Sequence, residues 1–254
     1  MLVTHEIPGL LRMIWLVILS FGLAAGTLGG IVGFGGSTIL MPILALAFGP
    51  KEAVPIMAIA GVLANLSRVA VWWRDVDWRA AAIYCLTGIP FAALGARTLL
   101  ALDPRVVELV LGLFFLAMIP TRRWLLKDGF SIKLPGLALA GAGVGYLSGL
   151  VASTGPLNTP FFLAYGLVKG AFVSTEALGS LGVFGTKAIV FHTFGALPSD
   201  TIARGLIVGS SMMAGSWVAK RFLSHLDAEQ FRLLMDGAML AAGLTLLWGA
   251  LQQT

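Results

Sequence analysis

Glycine, hydroxyl and amide residues cluster at two places inside long apolar stretches of the chain. The clusters contain Gly33, Gly35, Gly36, Ser37 and Thr38 in the first stretch and Ser153, Thr154, Gly155, Asn158 and Thr159 in the second. A helix that starts within an apolar layer presents backbone N–H groups without partners, and these suit an anion. We therefore expect two half-sites for one anionic ligand. Helix packing by Gly and capping by Ser or Thr is the alternative.

Two cations and one carboxylate within apolar segments are further candidate site residues. Arg68 and Lys187 are each embedded in an apolar span, at a cost of about 2.5–3.5 kcal/mol near a helix centre. Either could neutralise a bound anion or pair with an acid, but Arg68 is close enough to its segment end to reach the interface instead. Asp236, in the last apolar segment, is expected to form an ion pair or, less favoured, to bind a coupling proton.

The elements that carry these residues must lie in a membrane. The chain is 58% hydrophobic and 11% charged, with a mean hydropathy of +0.92, whereas an average soluble domain has about 25% charged residues. Ranges 13–50 and 134–168 contain no Asp, Glu, Lys or Arg. The basic residues behind the net charge of +5 are scattered between apolar runs, which favours a membrane and not nucleic acid. We predict an all-α integral membrane protein with several membrane passes.

The chain repeats itself at an offset of 119 residues. Ser67-Arg68-Val69-Ala70-Val71 then aligns with Thr186-Lys187-Ala188-Ile189-Val190, so the two embedded cations coincide. The glycine pattern follows the same offset, with Gly22, Gly26, Gly30 and Gly36 aligned with Gly141, Gly145, Gly149 and Gly155. We predict one duplicated membrane domain over 1–254, with repeats at 13–119 and 134–250 and a cytoplasmic connector at 120–133.

The first apolar stretch of each repeat is too long for one straight span. Residues 13–48 would form a helix of about 54 Å, against a hydrocarbon core of about 30 Å. Breaks are expected where Gly and Pro concentrate, at 33–37 and at 153–156, each followed by a short half-helix or re-entrant arm. The chain therefore has eight to ten membrane segments.

Basic residues favour one of two topologies. Eight spans with parallel halves would divide the 15 non-embedded Lys and Arg residues 8 to 7 between the two sides. Ten segments with inverted halves place 10 inside and 5 outside, which agrees with the excess of basic residues in cytoplasmic loops. We predict inverted halves.

Several motifs resemble one transporter family. The run Leu28-Gly29-Gly30-Ile31-Val32-Gly33-Phe34-Gly35-Gly36-Ser37, followed by Met41-Pro42-Ile43-Leu44, resembles the first signature of the TauE/SafE family, also called sulfite exporters. Asn65-Leu66-Ser67-Arg68 and the aromatic and basic stretch 72–79 match further family features, and 145–160 resembles the second copy. Asn65 joins the candidate substrate site through this motif. The second copy departs from the family pattern at 152–158, which affects the expected substrate more than the fold.

The resemblance implies a secondary transporter that moves a small anion, such as sulfite, a sulfonate or another organosulfur acid, across the bacterial inner membrane by alternating access. An anion channel and a carrier of small carboxylates stay open as alternatives. An enzyme is not expected, because the sequence has no metalloprotease motif and no nucleophile motif. One cysteine and three separated histidines also predict no metal and no cofactor. The expected partners are the anion, lipid and a coupling proton or cation; the anion's identity, the direction of transport and the oligomeric state stay open.

Overall fold

A computed structural model describes residues 6–33, 36–125, 131–151 and 155–222 and the single residues 240, 244, 247, 248 and 251. Helices account for nearly all of this described part. They are α1 (Glu6–Val32), α2 (Gly36–Phe48), α3 (Pro50–Val71), a short 3-10 helix (Trp73–Asp75), α4 (Trp78–Ala101), α5 (Pro104–Leu125), α6 (Leu134–Leu150), α7 (Gly155–Ala164), α8 (Lys169–Thr193) and α9 (Ser199–Phe222). The prediction of an all-helical protein is confirmed for these residues.

Three of the described helices are long and apolar enough to cross a membrane. The segments are Arg12–Ile31, Lys51–Val71 and Trp78–Ala101, and shorter apolar helices cover Ile39–Phe48 and Leu134–Leu150. Helix α5 continues to Leu125, so it extends into the range 120–133 that the sequence predicts as the connector.

Local sequence explains several helix boundaries. The Asp77 side chain caps α4 by accepting the Ala80 N–H at 3.0 Å, and Asp103 accepts the Arg105 N–H at 2.9 Å at the start of α5. After α1, Gly33 adopts a φ of 83°, a left-handed conformation that glycine reaches without strain. The helix therefore ends inside the glycine-rich run.

Glycines allow two helix pairs to approach closely, α1 with α9 and α4 with α6. A Cβ atom on Gly26 would lie 2.0 Å from the Met212 carbonyl oxygen, and one on Gly149 would lie 2.3 Å from the Ala92 carbonyl oxygen. No larger residue fits at such distances. The expected packing role of glycine thus holds at these two positions.

The short helix α2 runs back along α1. The start of α2 lies beside the last third of α1, because a Cβ on Gly36 would be 2.6 Å from the Ala25 carbonyl oxygen. Its last residue, Phe48, packs on Trp15 near the start of α1, with ring centroids 5.8 Å apart. The two helices therefore form an antiparallel hairpin.

Candidate functional site

A small cavity lies between α1, α2, α3, α8 and α9, with the first residue of α7 at its wall. Its volume is about 40 Å³, whereas one water needs roughly 10–15 Å³ by the same measure. Five residues predicted from the sequence line it, namely Gly36, Ser37, Asn65, Arg68 and Gly155. The structure thus brings Gly36 and Ser37 of the first cluster, Gly155 of the second and one embedded cation together.

The two short helices begin at the cavity. Gly36 is the first residue of α2 and Gly155 is the first residue of α7, and both are among the lining residues. The first N–H groups of a helix have no partner within it, and they carry the positive end of its dipole. Both helix starts therefore add positive potential on the same small volume.

Arg68 supplies the positive charge at the cavity wall. Its side chain, 10% exposed, points into the protein and pairs with Glu176, with Nη1 2.9 Å from Oε2. Nη1 also donates to the Gly33 carbonyl at the end of α1, and Nη2 donates to the Asn65 amide oxygen. The alternative that Arg68 extends to the membrane interface is therefore wrong.

Glu176 was not predicted as a site residue. Its carboxylate is 1% exposed and lines the cavity. Besides Arg68, it accepts a hydrogen bond from the Ser180 hydroxyl at 2.6 Å and one from the Asn158 amide at 3.3 Å. Tyr84 donates to the Asn158 oxygen at 2.6 Å, which fixes the orientation of that amide. The sequence did carry a signal, because Glu176 is an isolated acid within an apolar segment.

Lys187 does not line the cavity. It is fully buried on α8, with Nζ 3.5 Å from the Val151 carbonyl oxygen and 4.6 Å from the ring centre of Phe184, which is itself a lining residue. Val151 directly follows α6, just as Gly33 directly follows α1. Arg68 and Lys187 therefore each contact the carbonyl that directly follows a helix, α1 or α6, where the helix dipole favours a positive charge.

The other predicted site residues have different positions. Thr159 is buried and donates to the Gly155 carbonyl at 3.0 Å, so its hydroxyl is used within α7. Asn158 contacts Glu176 without lining the cavity. The remaining predictions, Gly35, Ser153, Thr154, Asp236 and the Thr38 side chain, lie outside the described residues.

Comparison with known proteins identifies the family. The model of the family described as Sulfite exporter TauE/SafE matches residues 18–246. The chain belongs to the TauE/SafE family. Its members are membrane transporters, which agrees with the apolar helices, so this TauE/SafE protein is a membrane transport protein. No curated protein and no solved structure is detectably similar to it.

The glycine-rich signature of this TauE/SafE transporter has two roles in the structure. Gly30 packs against α9, where a Cβ would be 2.7 Å from the Ala219 side chain. Gly29, Gly36 and Ser37 instead line the cavity. Part of the signature therefore lines the cavity, and Gly30 lets α1 pack closely on α9.

Proposed function

We propose that this transporter binds a small organosulfur anion, such as sulfite or a sulfonate, in the cavity and carries it across the bacterial inner membrane by alternating access. The main support is the meeting of two helix starts, at Gly36 and Gly155, with the Arg68 guanidinium around one small volume. Donors that converge from several directions suit the oxygens of a sulfur oxyanion. A helix start alone would be weak support, but a buried cation at the same cavity strengthens it.

Cavity size supports a small ligand. About 40 Å³ corresponds to roughly three waters on the scale on which one water takes about 10–15 Å³. Three waters are comparable with sulfite, which has four non-hydrogen atoms. A longer sulfonate would require the cavity to widen, as expected when a carrier passes between conformations.

We also propose ten membrane segments with inverted halves. Contacts at the two ends of the bundle support this topology. Glu52 at the start of α3 pairs with Arg204 at the start of α9, with 2.9 Å between Oε2 and Nη1. At the opposite end, the Asp77 N–H donates to the Thr175 hydroxyl at 2.9 Å. Eight parallel spans would put the members of each pair on opposite sides of the membrane.

Helix boundaries and packing support the duplication. The starts of α2 and α7, and those of α3 and α8, are each 119 residues apart, and α4 and α9 both have 24 residues. The first helix of each repeat packs on the fourth helix of the other repeat, α1 on α9 and α6 on α4. This packing of each half on the other would hold the two halves together around the cavity.

Proteoliposomes test the proposed function. Saturable uptake of sulfite, methanesulfonate, taurine, thiosulfate and acetate should be compared in vesicles with and without the purified protein. We expect saturable uptake of at least one organosulfur anion and weaker uptake of acetate. Preference for acetate would favour the small-carboxylate carrier, and fast flux that rises linearly with concentration would favour the channel.

A mutational test of Arg68 requires a background in which Glu176 carries no charge. Replacing Arg68 alone would leave the Glu176 charge unpaired and perturb folding. The informative comparison is therefore Glu176→Gln against the double variant Arg68→Gln with Glu176→Gln. We expect the second change to weaken anion binding by at least about tenfold, which corresponds to 1.4 kcal/mol. Equal affinity in the two variants would exclude Arg68 from the site.

A further inference from the structure

Arg68, which we propose binds the transported anion, is already paired with the carboxylate of Glu176. Arg68 and Glu176 both line the cavity, and their charged atoms are 2.9 Å apart. Among the described lining residues, these two are the only ones with charged side chains. A transported anion and Glu176 therefore compete for the same guanidinium.

An ionised Glu176 would oppose the anion strongly. If both anions shared Arg68, two like charges would lie close together in a site with little water. If the anion displaced Glu176, a carboxylate that is 1% exposed would lose its counter-charge. Protonation of Glu176 removes both penalties, because the neutral acid neither repels the anion nor needs a cation.

We propose that Glu176 is the coupling-proton site of the transporter and that an anion binds Arg68 when Glu176 becomes protonated. This inference rests on the proposed function. A proton from the aqueous side binds Oε2, the ion pair with Arg68 breaks, and the freed N–H donates to the entering anion. Arg68 with ionised Glu176 has no net charge, and Arg68 with neutral Glu176 and a monoanion has none either. One proton therefore moves with each monoanion.

The partners of Glu176 fit both protonation states. The Ser180 hydroxyl donates to Oε1 at 2.6 Å and accepts from the Asn158 amide at 3.4 Å, and neither hydrogen bond involves Oε2, where the proton binds. Asn158 is held by Tyr84 and keeps its amide directed toward Oε1. The carboxyl group can thus stay in position after Arg68 is released, which a reversible proton site requires.

Other ionisable groups around Glu176 are separated from its carboxylate. From α4, Tyr84 reaches it through Asn158, and Cys85 lies 3.8 Å from the Gly179 carbonyl oxygen. Asp75, from the short helix, lies against Gly170, six residues before Glu176, and Lys187 follows eleven residues later on α8. Arg68, from α3, is the only one of these groups that pairs with Glu176 directly.

Binding measurements at several pH values test the inference. Methanesulfonate is the main probe, because it stays a monoanion across the accessible pH range, and sulfite is the second. In the wild type we expect methanesulfonate affinity to rise as pH falls, by up to about tenfold per pH unit. Glu176→Gln should bind as tightly as the wild type does at low pH and should lose the pH dependence. Glu52→Gln removes the carboxylate of an exposed Arg–Glu pair and is the matched control. This variant should keep the pH dependence of methanesulfonate binding.

A flux measurement covers the case in which Glu176→Gln does not fold. Wild-type protein in proteoliposomes that contain an internal pH indicator should acidify the lumen by one proton for each methanesulfonate taken up. Anion uptake without acidification, or equal pH dependence in the wild type and Glu176→Gln, would overturn the inference and leave the proposed function intact. Wild-type protein that binds neither methanesulfonate nor sulfite would overturn both.

Discussion

Removal of Arg68 should destabilise the fold much more than removal of an exposed arginine. Arg68→Gln takes the counter-charge from a carboxylate that is 1% exposed and removes the donor to the Gly33 carbonyl. Loss of one partner of a buried ion pair costs about 3–5 kcal/mol, because the remaining charge is desolvated without compensation. We expect a loss of that size in the free energy of unfolding.

The double variant separates charge from packing. Arg68→Gln with Glu176→Gln leaves two neutral amides in the same volume, and replacement of both charges of a buried pair is often nearly neutral. We therefore expect the double variant to recover most of the lost stability. Arg204→Gln is the matched control, because its pair with Glu52 has the same 2.9 Å distance but side chains 33% and 55% exposed. An exposed pair contributes about 0–1 kcal/mol.

Reversible unfolding of the purified variants in mixed micelles, followed by circular dichroism, gives the comparison. Equal losses for Arg68→Gln and Arg204→Gln would refute the reasoning, since burial would then make no difference. A double variant as unstable as Arg68→Gln would also refute it, because the unpaired Glu176 charge would not be the cause.

Two further predictions concern topology and packing. In a Cys85→Ala background, Ser199→Cys should react with an impermeant thiol reagent on intact cells and Lys133→Cys should be protected, whereas eight parallel spans put both on one side. Gly149→Ala should destabilise the protein by about 1–3 kcal/mol through overpacking, because the added Cβ would lie 2.3 Å from a backbone oxygen. The control is Gly143→Ala on the same helix, where nothing lies within 4 Å of the added Cβ. In thermal unfolding this control should be neutral or slightly stabilising.

The sequence predicted those cavity residues whose type is unusual at their place in the chain, such as glycines at a helix break or a cation in an apolar span. Gly36 and Gly155 could be found because glycine concentrates where a helix must end and another must start, and the offset of 119 residues links them. Arg68 could be found because a cation in an apolar span is costly and therefore needs a function or a partner. Composition alone was enough to predict helices in a membrane.

Glu176 and the position of Lys187 depend on contacts that no local pattern contains. Arg68 and Glu176 are 108 residues apart, and their pairing follows from the way α3 packs on α8. The 119-residue offset did not reveal Glu176, because its counterpart at that offset is Met57, which has no charge. A search for matched charges therefore selects Lys187, which contacts the end of α6 and not the cavity.

Positions that the 119-residue offset matches have different side-chain chemistry around the cavity. Four positions on α3 and their counterparts on α8 lie in or beside it, namely Met57 with Glu176, Gly61 with Ser180, Asn65 with Phe184 and Arg68 with Lys187. On α3 these positions supply a cation and an amide, whereas on α8 they supply a carboxylate, a hydroxyl and a second cation, Lys187, that lies outside the cavity lining. Two identical faces would put like charges opposite each other, at a high cost in a buried site. In the mechanism that we propose, Arg68 would bind the anion and Glu176 the proton, and this difference between matched positions would let two similar halves couple two different ions.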